Sequence, residues 1–341
     1  MLKIAIISIN QPSLNSAVKL AEYLGEYKLD IYGKKDLEHH LDNLITYEKI
    51  DTVLENGWKK YDAIICILAM GIVVRKIAPL LESKATDPAV LVISMDLLKV
   101  IPILSGHIGG ANELSDLIAS KIDGCINFIS TATDQVEAFA FDMFGKKNGM
   151  MIENLDRLAN ISNRLINKKS VKVFTSKAIY ETIENKTNLE LVEEDAIDEN
   201  TVVISSKYST LNTSNLILKP KVFIGMGCNR DTSFEDIEQA FLWFINKHGL
   251  EKEQIENIAS FEAKSNEKGL LEFAKKYNFH IIFYNKNEIN SLQAKFSKSA
   301  STKIFGLKGV AEPSSVLLSK YKELILPKEV FKKKITIAGA V

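Results

Sequence analysis

Five histidines occur among the 341 residues, and one of them, His107, stands in the stretch Ser105-Gly106-His107-Ile108-Gly109-Gly110-Ala111-Asn112. Imidazole titrates near neutral pH, so a histidine there can act as general base or acid. Glycines let the backbone approach a ligand closely, and the amides of a helix start favour a carboxylate or an oxyanion. His107 is therefore a candidate catalytic group, with Ser105, Gly106, Gly109, Gly110 and Asn112 as candidate contacts around it. A tight turn in which the histidine only caps a helix fits the same residue types.

Three further clusters carry usable chemistry. Arg75, in "GIVVRKIAP", offers a guanidinium to carboxylates, whereas its neighbour Lys76 also reads as a solvated helix face. Lys84 and Asp87 belong to "ESKATDPAV", which equally describes a turn opening the next strand. Thr131, Thr133 and Asp134, in "STATD", put two hydroxyls and a carboxylate just after a strand-like run.

These residues need a scaffold, and the flanking pattern supplies one. "KIAIISI", "LDIYG", "YDAIICILA", "AVLVIS", "KVIPIL" and "CINFIST" read as strands, with helices over Ala17–Leu24, in "GIVVRKIAPLL" and over Ala111–Ile122. Strands alternating with helices predict an α/β layer with a mostly parallel sheet, and continuous apolar strands fit burial on both faces. In an open parallel sheet ligands bind at the carboxyl ends of strands, so the His107 loop, the glycine of "GIVVR" and "STATD" are all expected on one sheet edge.

From residue 135 to 220 the texture turns to Asn, Lys, Glu and Ser, which predicts a small α+β module. It has a helix around Ile152–Ile166, strands at Val171–Phe174 and Thr201–Ile204, and a loop at "STLNTSNL". Strand–helix alternation resumes in an α/β domain over 221–341. "KVFIGMG" should be a strand entering a glycine turn that holds Cys228, and "TSFEDIEQAFLWFINKHG" a helix with Thr232 and Glu235 as a capping box and Gly249 at its end. The expected divisions are thus 1–134, 135–220 and 221–341.

Composition narrows the class. Lys+Arg and Asp+Glu are both 43, which argues against nucleic acid or an anionic membrane as partner. The longest apolar stretch, Ala63–Val74, falls short of the roughly 20 residues that span a bilayer, and "MLKIAIISI" lacks a signal-peptide cleavage pattern, so a cytoplasmic enzyme is expected. Cys66, Cys125 and Cys228 form no C-x-x-C pair, and His39, His40, His248 and His280 have no ligand spacing beside them, so no protein metal site is expected. No G-x-G-x-x-G follows the first strand and no G-x-x-x-x-G-K-[ST] occurs, against a generic nucleotide-binding protein.

"GIVVRKIAPLLESKATDPAV", "LSGHIGGANELSDLIA" and "STATD", in this order, resemble the amino-terminal domain of the CbiG family of cobalamin biosynthesis, the cobalt-precorrin-5A hydrolases. "GMGCNRDTS", "IASFEAKSNEKGLLEFA" and "GVAEPSSVLL" are similar to the family's second domain, which is related to the CobE proteins of the aerobic pathway. The resemblance covers residues 62–134 and 221–341. Two departures are visible: Ser94–Lys99 replaces the family's acidic-glycine turn, and Asn229 separates Cys228 from Arg230.

The resemblance implies a cobalt-containing tetrapyrrole substrate, whose δ-lactone is opened by water and from which acetaldehyde leaves to give cobalt-precorrin-5B. It implies no cofactor beyond the cobalt that the substrate carries, and contact with neighbouring enzymes of the corrin pathway. Such chemistry asks for an activated water, a stabilised oxyanion and proton transfer during carbon–carbon cleavage. His107 is assigned as base, the amides around Gly109 and Gly110 with Asn112 as oxyanion donors, and Asp134 as the group that orients or recharges His107 or as a second acid/base. In the second domain Gly227, Arg230, Lys264 and Glu312 are candidate substrate contacts, with Glu267 beside Lys264 and a surface ion pair or a helix-start carboxylate as the structural alternatives. A non-catalytic tetrapyrrole-binding or handover protein would keep the same glycines and cations.

Overall fold

The computed structural model describes residues 1–38, 44–83, 86–130, 138–207, 214–297 and 306–341. Contacts divide the chain into two units, 1–137 and 138–341. Its class is the expected one, mixed α/β with mostly parallel sheets. Among the described residues no helix is long and apolar enough to cross a membrane.

The first unit is built on a seven-stranded sheet. Its strands are Lys3–Ser8 (β1), Lys28–Lys34 (β2), Ile45–Tyr47 (β3), Ala63–Ile67 (β4), Ala89–Ile93 (β5), Lys99–Leu104 (β6) and Ile126–Asn127 (β7), in the order β3-β2-β1-β4-β5-β6-β7. The strands β1 to β5 run parallel, and β4 and β5 are buried along their whole length. Alternate side chains explain this: Ile4, Ile6, Ile65 and Leu91 meet helices Gln11–Tyr23 (α1) and Ala111–Lys121 (α4). Ala5, Ile7, Ile64 and Cys66 meet helices Ile50–Gly57 (α2) and Met70–Ile77 (α3) on the other face. Helix α1 starts where it does because Asn10 and Ser13 form a reciprocal capping box with Pro12 in the first turn.

The second unit holds two five-stranded sheets. One consists of Met151–Glu153 (β8), Val171–Thr175 (β9), Leu189–Val192 (β10), Val202–Ile204 (β11) and Leu216–Lys219 (β12), in the order β10-β9-β11-β12-β8, with only β8 antiparallel. It carries helices Phe141–Lys147 (α5), Leu158–Ile166 (α6) and Lys177–Glu181 (α7). Ile152 therefore lies on an edge strand and not in the expected helix, which starts only at Leu158 after a short 3-10 turn. The "STLNTSNL" loop falls largely outside the described residues.

The other sheet consists of Val222–Cys228 (β13), Ile255–Phe261 (β14), Ile281–Tyr284 (β15), Leu324–Phe331 (β16) and Ile335–Ala340 (β17), ordered β15-β14-β13-β17-β16. Its helices are Phe234–Lys247 (α8), Lys268–Lys276 (α9), Lys286–Ser291 (α10) and Ala311–Leu318 (α11). Two local expectations are corrected. Gly227 and Cys228 continue β13, paired with Thr336 and Ile335, and do not form a turn. Helix α8 is capped by Ser233, whose side chain accepts from the Asp236 N–H, while the Thr232 hydroxyl turns back to the Asn229 carbonyl. Ser233 wins because its hydroxyl is the one in reach of the third helical amide.

Lys219, at the end of β12, is 1% exposed. Its ammonium pairs with Glu153 on β8 and lies 3.5 Å from Glu251, which precedes β14, so it joins the two sheets of this unit. Removing one partner of a buried pair costs about 3–5 kcal/mol. Lys219→Ala is expected near the lower figure, about 3 kcal/mol, because both carboxylates reach water; a urea midpoint equal to that of the parent protein would contradict the assignment.

Candidate functional site

The His107 loop joins β6 to α4 in six residues, and its geometry follows from that shortness. Ser105 adopts φ 55°, a left-handed conformation unusual for a side chain with a Cβ. Its hydroxyl donates to the Asp87 carbonyl at 3.0 Å, which fixes it there. Gly110, with φ 87°, is the N-cap of α4, a backbone state that glycine alone adopts without strain. A Cβ on Gly109 would overlap Ser105, and one on Gly106 would lie 2.7 Å from Oδ1 of Asn112. The Ala111 and Asn112 N–H groups donate to the Ser105 and Gly106 carbonyls, and the Gly110 N–H donates to the His107 carbonyl at 2.9 Å. That last bond engages the Gly110 amide within the turn, so it is not available to an oxyanion as first assigned. His107 is half-buried, and Asn112 is buried.

The edge on which this loop sits differs from the expectation. Strand β6 runs antiparallel to β5, pairing Leu104 with Val90 and Val100 with Ile93. The reversal is made by the turn Ser94–Leu98, in which Leu97 takes φ 61° and Asp96 accepts from the Leu98 N–H. His107 therefore lies where β4 and β5 begin, beside the Asp87 segment, whereas α3 follows the carboxyl end of β4 and starts on the opposite edge. Arg75, in the last turn of α3, is exposed and its guanidinium donates to the Gly71 carbonyl one turn back at 2.9 Å. Asp87 is 7% exposed, and its carboxylate accepts from the Glu82 and Ser83 N–H groups and from the Trp58 indole. The carboxylate is thus turned inward on its own loop. Lys84, Thr131, Thr133 and Asp134 lie outside the described residues.

In the second unit, Cys228, Arg230, Lys264 and Glu267 converge at the carboxyl ends of β13 and β14. Glu267 is the hub: it is buried and accepts from the Arg230 guanidinium at 3.1 Å, the Asp231 N–H at 3.0 Å and the Lys264 ammonium at 3.4 Å. The ion pair is therefore buried and sits on a 3-10 turn before α9, not on an exposed helix face as the spacing suggested. Arg230, with more than half of its side chain exposed, also donates to Asn266, and the two lie in a cleft of about 460 Å³ with the starts of α8 and α9. Gly269 makes that meeting of helices possible, since a Cβ there would overlap the Thr232 carbonyl. Burial pushes the Cys228 thiol up, Glu267 adds to it, and Lys264, Thr232 and Arg230 counter only in part. A raised thiol is a poor nucleophile at neutral pH.

Glu312 lies in the first turn of α11, which packs so closely on β13 that a Cβ on Gly225 would overlap the Ala311 carbonyl. Gly227 has the same role beside Thr336 and Val310. The Glu312 carboxylate accepts from the Ser297 N–H at 2.6 Å, the Ser297 hydroxyl at 2.8 Å and the Lys328 N–H at 2.9 Å. Sequence reasoning missed Ser297, Lys328, Asn266 and the hub role of Glu267, because the contacts of Glu312 and of Arg230 join residues 15 or more positions apart and no local spacing marks them. Among the described residues no group of three or more His, Cys, Asp or Glu is arranged to hold a metal ion.

Burial pushes the Glu312 carboxyl up, but the Lys328 and Ser297 N–H groups, the Ser297 hydroxyl and the Lys328 charge outweigh it and hold it below the usual carboxylate range. Its stabilising contribution is therefore present above the unfolded value of about 4.3 and lost as pH falls through the lower folded value. Glu312→Gln is expected to cost about 2 kcal/mol at pH 7 and to flatten the decline of the melting temperature between about pH 5 and pH 3; parallel curves would show that Glu312 is not clasped this way.

Comparison with known proteins adds the following. Residues 52–134 match the model for Cobalamin synthesis G N-terminal, 139–220 that for Cobalamin biosynthesis central region, and 222–340 that for Cobalamin synthesis G C-terminus. A cobalt-precorrin-5A hydrolase from Priestia megaterium is 31% identical over 292 residues, covering 81% of this chain and 78% of its own. One from Salmonella typhimurium is 28% identical over 269 residues, covering 76% of each. A crystal structure described as a cobalamin biosynthesis protein G homolog from Sulfolobus solfataricus overlaps with a TM-score of 0.41 at 22% identity, covering 99% of this chain and 96% of that one.

Proposed function

The chain belongs to the CbiG family of cobalamin biosynthesis proteins, and from that premise we propose that it is a cobalt-precorrin-5A hydrolase. It opens the δ-lactone of a cobalt-containing tetrapyrrole with water and releases acetaldehyde. The likeness to hydrolases along most of the chain supports the activity. The observation that carries the site is the His107 loop, a strained strand-to-helix turn with a half-buried imidazole.

In this reading His107 takes a proton from the attacking water, and the Gly109 amide with the Asn112 side chain stabilises the oxyanion that forms on the lactone carbonyl. Collapse of that intermediate breaks the ester bond and leaves a carboxylate and an alcohol. Loss of the alcohol proton then drives cleavage of the neighbouring carbon–carbon bond, acetaldehyde departs, and the ring carbon gains a proton. We assign Asp134 as the partner that recharges His107 or as the second acid/base, on its place in "STATD" alone. Arg230 is the carboxylate-binding cation of the second unit, since a guanidinium presents paired donors to such a group. The cobalt comes with the substrate and the protein supplies no cofactor. It works in the cytoplasm among the neighbouring enzymes of the corrin pathway.

Removing a positioned base lowers rate by about 10²- to 10⁴-fold. His107→Ala should therefore release acetaldehyde from cobalt-precorrin-5A that much more slowly while melting like the parent; normal release from the folded variant would refute the base assignment. Binding of the tetrapyrrole by the parent protein with no acetaldehyde formed would instead mark a handover protein. Because the Cys228 thiol is held protonated and the reaction needs only water as nucleophile, Cys228→Ser should retain turnover within about twofold; a loss like that of His107→Ala would place the sulfur in the chemistry.

A further inference from the structure

We propose that a cavity of about 260 Å³ at the carboxyl ends of β9 and β11 binds a small zwitterion with an apolar body, of the class of a free aliphatic amino acid. The site lies wholly in the second unit and does not depend on the hydrolase reading. Topology points to it first. Strands β10 and β11 flank β9 on opposite sides, so the chain leaves β9 in one direction and returns in the other. Ligands of open parallel sheets bind in the crevice outside the strand ends at such a switch point.

The lining defines the ligand. Ile179, Ile204 and Ile325 give the cavity apolar walls, and the polar groups stand at their margins. Four hydroxyls line it, and they fall into two pairs. Thr175 and Ser206 donate to the Ile204 and Pro220 carbonyls at 3.0 and 2.8 Å, which commits their hydrogens. Ser176 and Ser205 instead accept from the Ile179 and Lys207 N–H groups at 3.3 and 3.2 Å, which leaves their hydrogens to donate. With the exposed Lys207 ammonium they suit a carboxylate.

Glu323 supplies the opposite pole. It lines the same cavity, and its Oε2 is shut off from solvent without a hydrogen-bond partner. A buried acceptor in that state calls for a donor, and an ammonium on an occupant provides one. Carboxylate donors on the strand-end loops, a lone acceptor on Glu323 and aliphatic walls between them together describe an aliphatic amino acid.

The test is calorimetric titration of the full chain with L-leucine, with 4-methylpentanoate as the carboxylate alone and isopentylamine as the amine alone. Leucine should bind, with each half-ligand at least tenfold weaker. Glu323→Gln should weaken leucine at least tenfold without lowering the melting temperature, and Lys207→Ala should weaken leucine but not isopentylamine. His107→Ala should bind leucine like the parent. The proposal is overturned if leucine at about 10 mM produces neither heat nor a thermal shift, or if Glu323→Gln binds it as tightly as the parent does.

Discussion

Strand β6 pairs antiparallel with β5, Leu104 beside Val90 and Val100 beside Ile93, and this reversal fixes where the candidate chemistry can occur. A sixth parallel strand would have delivered the His107 loop to the edge where α3 starts. Reversed, the chain reaches the edge where β4 and β5 begin and must turn into α4 within six residues. That shortness accounts for the rest of the loop: a left-handed Ser105 held by the Asp87 carbonyl, a Gly109 with no room for a Cβ, and a left-handed Gly110 at the helix start. Each contact restricts the backbone that carries His107.

A second regularity unites the two units. Asp87, Glu267 and Glu312 are all buried carboxylates whose oxygens accept from backbone N–H groups, on loops for Asp87 and Glu267 and on a loop and strand β16 for Glu312. Asp87 and Glu312 each gather two such donors, and Glu267 gathers one together with the Arg230 and Lys264 cations. The same residue types that suggest substrate contacts are, at these positions, what closes the loops.

Much of the scaffold was legible because its signals are local. Continuous apolar runs marked β1, β4, β5 and β13, and the glycine pair before Ala111 marked the start of α4. The apolar runs do not show the direction of β6, but the five residues that separate it from β5 do, since they are too few for a parallel crossover. Three-residue strands such as β3 and β8 are too short to show a period, and Ile152 was absorbed into the helix beside it for that reason. The spacing of Lys264 and Glu267 disclosed their pairing but not its burial, which depends on Arg230 and Asp231 arriving from the loop after β13.

The same geometry separates the cations of the second unit. Lys264 is 14% exposed and faces Glu267, so its charge is largely answered within the fold. Arg230 meets the same carboxylate through one nitrogen, yet its side chain is 59% exposed beside an open cleft. A guanidinium has five N–H donors, and one terminal nitrogen, which carries two of them, serves both Glu267 and Asn266, so three are not used by these contacts. An ammonium could not be anchored and still offer a planar pair. Glu267 thus holds Arg230 in place at the edge of that cleft.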